Sequence, residues 1–154
     1  MPSKRSRPRR TPSLDAYVKL MRAADSVTAQ LEGGLRDSGL TPSQFGVLEA
    51  LYHLGPLTQG DLARKLLKSS GNLTLVVDNL ERRGLAKRRK SKKDRRCVEV
   101  HLTAPGKKLI SEVYPRHARA IRHAMGGLAP YEQRHLAELC RRLGLAAAQE
   151  RGNR

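Results

Sequence analysis

The feature that most restricts the fold of this chain is a change of apolar period near its middle. Residues 58–67 and 70–83 each place apolar side chains at the spacing of an amphipathic helix, and a short polar turn separates them. Beyond these helices the spacing changes, and residues 85–90 and 97–102 are predicted to be two strands joined by a charged turn. The sequence therefore predicts two helices followed at once by a β-hairpin.

The predicted hairpin also holds the densest positive charge of the chain. Eight of the ten residues from 87 to 96 are lysine or arginine. The whole chain contains 31 basic and 14 acidic side chains, which gives a formal net charge of +17. Such a chain is attracted to polyanions, most commonly nucleic acid, although charge alone does not separate DNA from RNA or an anionic membrane. No apolar run approaches the length of a membrane span, so no membrane partner is expected.

Two helices followed by a basic hairpin form the arrangement of a winged helix-turn-helix. Helix 70–83 is expected to lie in the major groove, where each base pair presents a distinct pattern of donors and acceptors. Asp94 is expected to accept a hydrogen bond from an arginine side chain and so hold the wing in shape. The predicted DNA contacts are Ser69, Ser70, Asn72, Thr74 and Leu75 on the recognition helix, and Lys92, Lys93, Asp94, Arg95 and Arg96 on the wing.

Long amphipathic helices are predicted on both sides of this unit. The first begins at a Ser13 cap, and Gly33, Gly34 and Gly39 mark its end or a break. Residues 105–149 contain two more helices, and Pro115 in the first of them predicts a kink or a break in register. A single copy of such helices leaves apolar surface exposed, which favours a homodimer.

Three segments, in this order and spacing, resemble the MarR (multiple antibiotic resistance regulator) family of transcription factors. They are SSGNLTLVVDNLERRGL at 69–85, DRR at 94–96 and LTAPG at 102–106. The preceding segments LTPSQFGVLEAL and LTQGDLARKLL also resemble the second and third helices of that family. Any one segment is weak evidence, whereas the ordered set covers nearly the whole chain after its basic N-terminal residues.

The resemblance implies a mainly α fold with a small β-hairpin wing. A winged helix-turn-helix (residues 41–104) is expected to join a helical dimerisation region (residues 13–38 and 105–149), in which helices of two subunits interleave. Residues 1–12 are basic and Pro-rich, and we expect a disordered arm that either contacts DNA or only solvates the chain. The implied partners are a second copy of the chain and double-stranded DNA with a pseudo-palindromic operator, whose half-sites lie about 34 Å apart.

The resemblance also implies a regulatory ligand. Members of the family commonly respond to a small, often aromatic or phenolic, anion that binds between the dimerisation helices and the winged domain. By position, its plausible lining residues are Tyr17, Met21, Tyr52, His53 and Tyr114, although aromatic side chains at helical spacing are more often part of a core. The resulting hypothesis is a cytoplasmic, nucleoid-associated bacterial repressor that a small aromatic ligand releases from DNA.

Leu75 and the cysteines depart from patterns of the family. Many members have arginine at the position of Leu75, so base recognition there is expected to differ. Peroxide-sensing members have a reactive cysteine in the first helix, which this chain lacks. Cys97 lies on a predicted strand beside Arg95 and Arg96, which would lower its pKa. Regulation through oxidation of Cys97 is therefore one alternative, and simple packing, as for Cys140 beside an apolar stripe, is the other.

No residue pattern predicts an enzyme. The sequence lacks a nucleophile elbow, a phosphate-binding glycine loop and paired carboxylates in an apolar setting. The five histidines do not have the spacing of a helical metal-binding pair, so neither a metal nor a cofactor is expected. A further alternative is an architectural protein that binds nucleic acid without reading its sequence. One Phe and four Tyr leave few aromatic side chains for base stacking, which counts against it.

Overall fold

The computed structural model describes residues 11–152, and it confirms a mainly helical fold with a small antiparallel sheet. The elements, in chain order, are α1 (Pro12–Asp37), α2 (Pro42–Leu54), β1 (Leu57–Thr58), α3 (Gln59–Lys65), α4 (Ser70–Arg82), β2 (Ala86–Lys90), β3 (Val98–Leu102), α5 (Ala104–Ala124) and α6 (Pro130–Gly152). Helices α3 and α4 with strands β2 and β3 are the predicted helix pair and hairpin.

The first helix begins earlier than the sequence indicated, and Gly39, with φ +69°, directly follows its C-cap Ser38. Thr11, not Ser13, is the N-cap, and its side chain accepts a hydrogen bond from the backbone N–H of Leu14. The helix continues through Gly33 and Gly34 to Asp37, so these glycines do not end it. Of the predicted arm, residues 1–10 lie outside the described residues, whereas Thr11 and Pro12 belong to the start of α1.

Strand β1 was not expected from the sequence. The sequence predicts that the third helix begins at Thr58, which is its N-cap, but Thr58 also pairs with Glu99 and the preceding Leu57 pairs with Val100. The sheet therefore has the order β1-β3-β2. Helix α3 is shorter than predicted and ends at Lys65, and Leu67 then adopts a left-handed backbone conformation with φ +51°. This turn separates α3 from α4.

The hairpin also differs in detail from its prediction. Each strand begins one residue later than expected, so Cys97 precedes β3 instead of lying within it. Val98 and Val100 are on one face of β3 by sequence alternation, but Val100 is fully buried and Val98 is 46% exposed because the strand extends beyond the core. Pro115 does not break α5, which runs as one assigned helix from Ala104 to Ala124.

The hydrophobic core joins the helix pair to the sheet and to the helices on either side. Its largest fully buried side chains come from α2, α3, α4, β3 and α5, and they are Val47, Leu48, Leu62, Leu73, Val77, Leu80, Val100 and Ile110. Gly106, near the start of α5, lies directly against the backbone of Leu85. This packing fixes α4 and the hairpin to one rigid body.

The outer helices have a different character. Helix α1 packs on α5, whereas much of the apolar surface of α6 stays exposed in a single chain. Leu139 and Leu143 are one turn apart on α6 and are 48% and 57% exposed. Leu14 and Tyr17 near the start of α1 are also exposed. These helices therefore present an apolar surface that no other part of residues 11–152 covers.

Candidate nucleic-acid interface

Helix α4 presents its first turns to solvent. Ser69 is the N-cap, and its side chain accepts a hydrogen bond from the backbone N–H of Asn72. Leu73 and Val77 point into the core, which turns the opposite face outward. That outward face carries the exposed side chains of Asn72 and Leu75. An exposed, capped helix N-terminus offers free backbone N–H groups and a partial positive charge, both of which favour a phosphate.

Thr74 has a more constrained position than the sequence suggested. It is half-buried, and its hydroxyl donates to the carbonyl oxygen of Ser70 at 2.9 Å. The same hydroxyl accepts a hydrogen bond from Nε2 of Gln59 on α3 at 2.6 Å. The single proton of the hydroxyl is therefore used inside the chain.

Arg88 on β2 forms a network that sequence reasoning missed, because it was counted with the other cations of the hairpin. Its guanidinium lies 2.7 Å from the carboxylate of Asp78, pairs with Glu81 and donates to Gln59 at 3.1 Å. Partial burial on its own lowers the pKa of Arg88, but the bonds to the two carboxylates outweigh it and raise the pKa overall. Arg88 thus links the base of the wing to both helices of the helix-turn-helix.

A second polar network fixes the other side of α4. The buried Gln44 on α2 donates to Oδ1 of Asn79 at 2.7 Å. Arg83 donates to Gln44 at 3.2 Å and to the carbonyl oxygen of Gly39 at 2.9 Å. Asn79 is therefore a structural residue of the recognition helix and not one that faces outward.

The tip of the wing is a compact turn closed by Ser91 and Asp94. The buried Ser91 hydroxyl accepts hydrogen bonds from the backbone N–H groups of Lys93 and Asp94. Asp94 accepts a hydrogen bond from the backbone N–H of Arg96 at 3.0 Å. The prediction that Asp94 holds the wing was correct in its role, but its partner is this backbone group and not an arginine side chain.

The remaining wing residues are free to meet a ligand. Lys92, Lys93, Arg95 and Arg96 are exposed, and within residues 11–152 none of them lies within 4.0 Å of a carboxylate oxygen. Four like charges held without partners repel one another, and a polyanion relieves that repulsion. The geometry is that of a winged helix-turn-helix with its recognition helix and wing both open to DNA.

Comparison with known proteins agrees with this geometry. The model of the MarR family matches residues 40–98. The HTH-type transcriptional regulator YkoM of Bacillus subtilis is 40% identical over 136 residues, which is 86% of either chain. The chain belongs to the MarR family. It is accordingly a DNA-binding transcriptional regulator, as its relatives are.

Solved structures of MarR-family regulators have the same fold. BpsR of Bordetella bronchiseptica, whose DNA binding is regulated by 6-hydroxynicotinic acid, has a TM-score of 0.77 and 29% identity, covering 88% of this chain and 97% of BpsR. Sco3205 of Streptomyces coelicolor, solved in complex with DNA, has a TM-score of 0.76 and 25% identity, covering 91% of either chain. The similarity therefore extends beyond the winged domain to the outer helices.

Cys97 in this MarR-family chain is not activated by its arginine neighbours. The negative charge of Asp94 raises the pKa of the Cys97 thiol, assisted by partial burial and by the hydrogen bond from Sγ to Oδ2 of Asp94 at 3.7 Å. The expected lowering by Arg95 and Arg96 was wrong, because the carboxylate of Asp94 contacts the thiol directly and its negative charge is the largest influence on it. Cys140 is half-buried on α6.

The predicted ligand-pocket residues are only partly brought together. Tyr52 and His53 of α2 and Tyr114 of α5 form an aromatic cluster, with ring centroids 4.7 Å apart for His53 and Tyr114 and 6.5 Å apart for the two tyrosines. Tyr17 and Met21 lie on α1 and are exposed, and Tyr17 makes no ring contact with any described residue. The structure therefore brings together three of the five predicted residues.

Two clefts that are separate from this aromatic cluster lie between α6 and the helix pair α3–α4. Their volumes are about 600 and 690 Å³, and Arg64, Leu67 and Leu145 line both. Neither contains any of the five predicted pocket residues. Among residues 11–152 there is no group of three or more histidine, cysteine, aspartate or glutamate side chains suited to a metal ion. Over the same residues no helix is both long and apolar enough to cross a bilayer.

Proposed function

We propose that this MarR-family protein is a homodimeric repressor that binds a pseudo-palindromic operator and leaves it when a small, hydroxylated aromatic anion binds. The single observation that carries the DNA-binding mode is the joint exposure of the α4 N-terminus and of four unpaired wing cations. Ser69, Ser70 and Asn72 would contact bases or phosphates in the major groove, and Arg95 or Arg96 would enter the adjacent minor groove.

The uncovered apolar surface of the outer helices supports the homodimer. Exposed Leu139 and Leu143 on α6, Ile121 on α5 and Leu14 on α1 would be costly on a monomer, and a second copy would bury them. Two-fold symmetry would then present two recognition helices to successive major grooves about 34 Å apart. Substituting Leu139 and Leu143 together by lysine is expected to shift the protein to a monomer in sedimentation equilibrium, with loss of operator binding.

The aromatic cluster supports the ligand hypothesis. The cluster joins α2 of the winged domain to α5, one of the outer helices, through Tyr52, His53 and Tyr114. A ligand wedged against this cluster would favour a dimer in which the recognition helices have the wrong spacing for DNA. Such a shift requires the ligand to bind the DNA-free arrangement more tightly than the DNA-bound one. The regulation of BpsR by 6-hydroxynicotinic acid makes that compound the first probe.

The deciding experiment is a fluorescence-anisotropy titration with DNA from the promoter region beside the gene of this protein. Unlabelled random duplex serves as competitor at near-physiological salt. Binding that survives the competitor supports a sequence-reading dimer, and release by 6-hydroxynicotinic acid in wild type but not in a Tyr114→Ala variant supports the ligand site. Binding that random duplex abolishes would overturn the operator-specific function and favour an architectural role.

A further inference from the structure

Leu75 is the most exposed of the large apolar side chains in the part of the chain that the structure describes. It is 71% exposed and lies on the outward face of α4, three residues after Asn72. A single exposed leucine is common on protein surfaces, so exposure alone carries no function. The position is informative because of the state of the neighbouring polar side chains on α4.

The polar neighbours of Leu75 on α4 are already engaged inside the chain. The hydroxyl of Thr74 is bound to Ser70 and Gln59, and Asp78 is paired with Arg88. Asn79, on the next turn, is bound to Gln44. Between Asn72 and Asn79, the exposed side chain that remains available to a partner is therefore that of Leu75, which is apolar.

The positive charge of the α4 N-terminus and of the wing indicates which kind of partner would cover Leu75. The capped N-terminus of α4 and the exposed cations of the wing both attract DNA, so in the proposed binding mode Leu75 would face the floor of a major groove. A leucine can neither donate nor accept a hydrogen bond. Of the four standard bases, only thymine presents an apolar group in that groove, its 5-methyl group.

We propose that Leu75 is a specificity-determining residue that contacts the 5-methyl group of a thymine in each operator half-site. At the same position, a cytosine would present only a C5–H in place of the methyl group and would lose the apolar contact with Leu75. Asn72 reads its own base by hydrogen bonds, and Leu75 selects for a methyl group beside it. This inference rests on the proposed function, because it requires α4 to be the recognition helix.

The test removes that methyl group alone. In one half-site of the operator found in the promoter titration, each thymine is replaced in turn by uracil. Uracil differs from thymine only in lacking the 5-methyl group. One position is expected to lose about fourfold in affinity, which corresponds to about 0.8 kcal/mol for one buried methyl group. The Leu75→Ala variant is expected to bind the thymine operator more weakly and to bind the thymine and uracil operators equally at that position.

An Asn72→Ala variant is the matched control on the same face of the helix. It is expected to lose affinity for the operator while keeping the fourfold difference between thymine and uracil. Circular dichroism of each variant checks that α4 remains folded. The inference is overturned if no thymine is sensitive to loss of its methyl group, or if the sensitivity persists in Leu75→Ala. In both cases operator preference over random duplex would leave the proposed function standing, whereas loss of that preference would overturn the two together.

Discussion

The guanidinium of Arg88 in β2 lies 2.7 Å from the carboxylate of Asp78 in α4. The same guanidinium pairs with Glu81 and reaches Gln59, whose amide in turn holds the hydroxyl of Thr74. The wing and the recognition helix are therefore oriented by one half-buried cation. In the proposed binding mode the recognition helix and the wing contact DNA together, so an error in the angle between these elements would weaken both sets of contacts at once.

Replacing Arg88 by Gln is expected to destabilise the protein by about 1–2 kcal/mol, since Asp78 and Glu81 would face each other without a cation and are only partly screened by solvent. Operator affinity is expected to fall further than stability alone explains. Urea unfolding at fixed protein concentration and the anisotropy titration measure the two effects. Arg89→Gln, at the exposed neighbouring position of β2, is the control for loss of charge. Equal effects of the two variants would show that Arg88 acts only as a phosphate contact.

The elements could be predicted from the sequence where the signals are local. Thr41 before Pro42 caps α2, and Gly84 with φ +68° follows the last turn of α4, as these local signals indicate. The roles of Arg88 and Gln59 could not be predicted in this way, because they lie 29 residues apart in sequence and meet only after the sheet forms. Their charge and polarity are indistinguishable from those of their exposed neighbours until the packing is known.

Strand β1 and the Cys97 thiol were mispredicted for a related physical reason. A strand of two residues, Leu57 and Thr58, has no periodicity to detect, and its pairing depends on β3 more than 40 residues later. The pKa of Cys97 depends on which neighbouring side chain contacts the thiol, and sequence proximity to Arg95 and Arg96 does not give side-chain direction. Interactions set by tertiary packing therefore account for most of the differences between the sequence-based predictions and the structure.

Gly106 is expected to tolerate no side chain. A Cβ at this position would overlap the carbonyl oxygen of Leu85, a backbone atom that cannot move without disturbing the start of β2. Gly106→Ala is therefore expected to lower the free energy of unfolding by about 3 kcal/mol. Gly34→Ala is the matched control, because a Cβ there meets nothing within 4 Å and alanine favours a helix by about 1 kcal/mol. Thermal or urea unfolding of both variants tests the contrast, and a stable Gly106→Ala would contradict the packing of α5 on Leu85.

His117 is expected to make stability fall as the solution is acidified. Burial lowers the pKa of His117, which packs edge-on against Phe45 with ring centroids 4.4 Å apart. The neutral ring is thus favoured in the folded state, and its stabilising effect is complete above the unfolded pKa of about 6.5. It is lost as pH falls toward the folded pKa, because the unfolded chain binds the proton more readily.

Urea unfolding at pH about 7.5 and about 5.5 measures this dependence around the unfolded pKa. The His117→Gln variant is expected to lose less stability between the two pH values than wild type. His135→Gln, at an exposed position of α6, is expected to behave as wild type does. An unchanged pH dependence in His117→Gln would mean that other groups account for the loss.

Asp94 is expected to suppress the reactivity of Cys97. Its carboxylate raises the pKa of the thiol, so little thiolate is present at neutral pH. In a Cys140→Ser background, iodoacetamide is expected to modify Cys97 slowly, and Asp94→Asn is expected to make the reaction several-fold faster. The asparagine keeps an oxygen that can accept from the backbone N–H of Arg96, so the wing retains its shape. Rapid modification of wild-type Cys97, or loss of operator binding on peroxide treatment that Cys97→Ser prevents, would instead support a redox switch.

The wing cations are expected to set the salt dependence of DNA binding. Each cation that neutralises a phosphate releases condensed counterions, so removing one lowers the slope of log affinity against log salt by about 0.9. Arg96→Gln is expected to reduce this slope and to weaken operator and random duplex alike, because a phosphate contact carries no sequence information. Arg116→Gln, exposed on α5 away from the wing, should leave the slope unchanged. If both variants gave the wild-type slope, Arg96 would not contact a DNA phosphate. The wing would then have to be placed away from the DNA backbone.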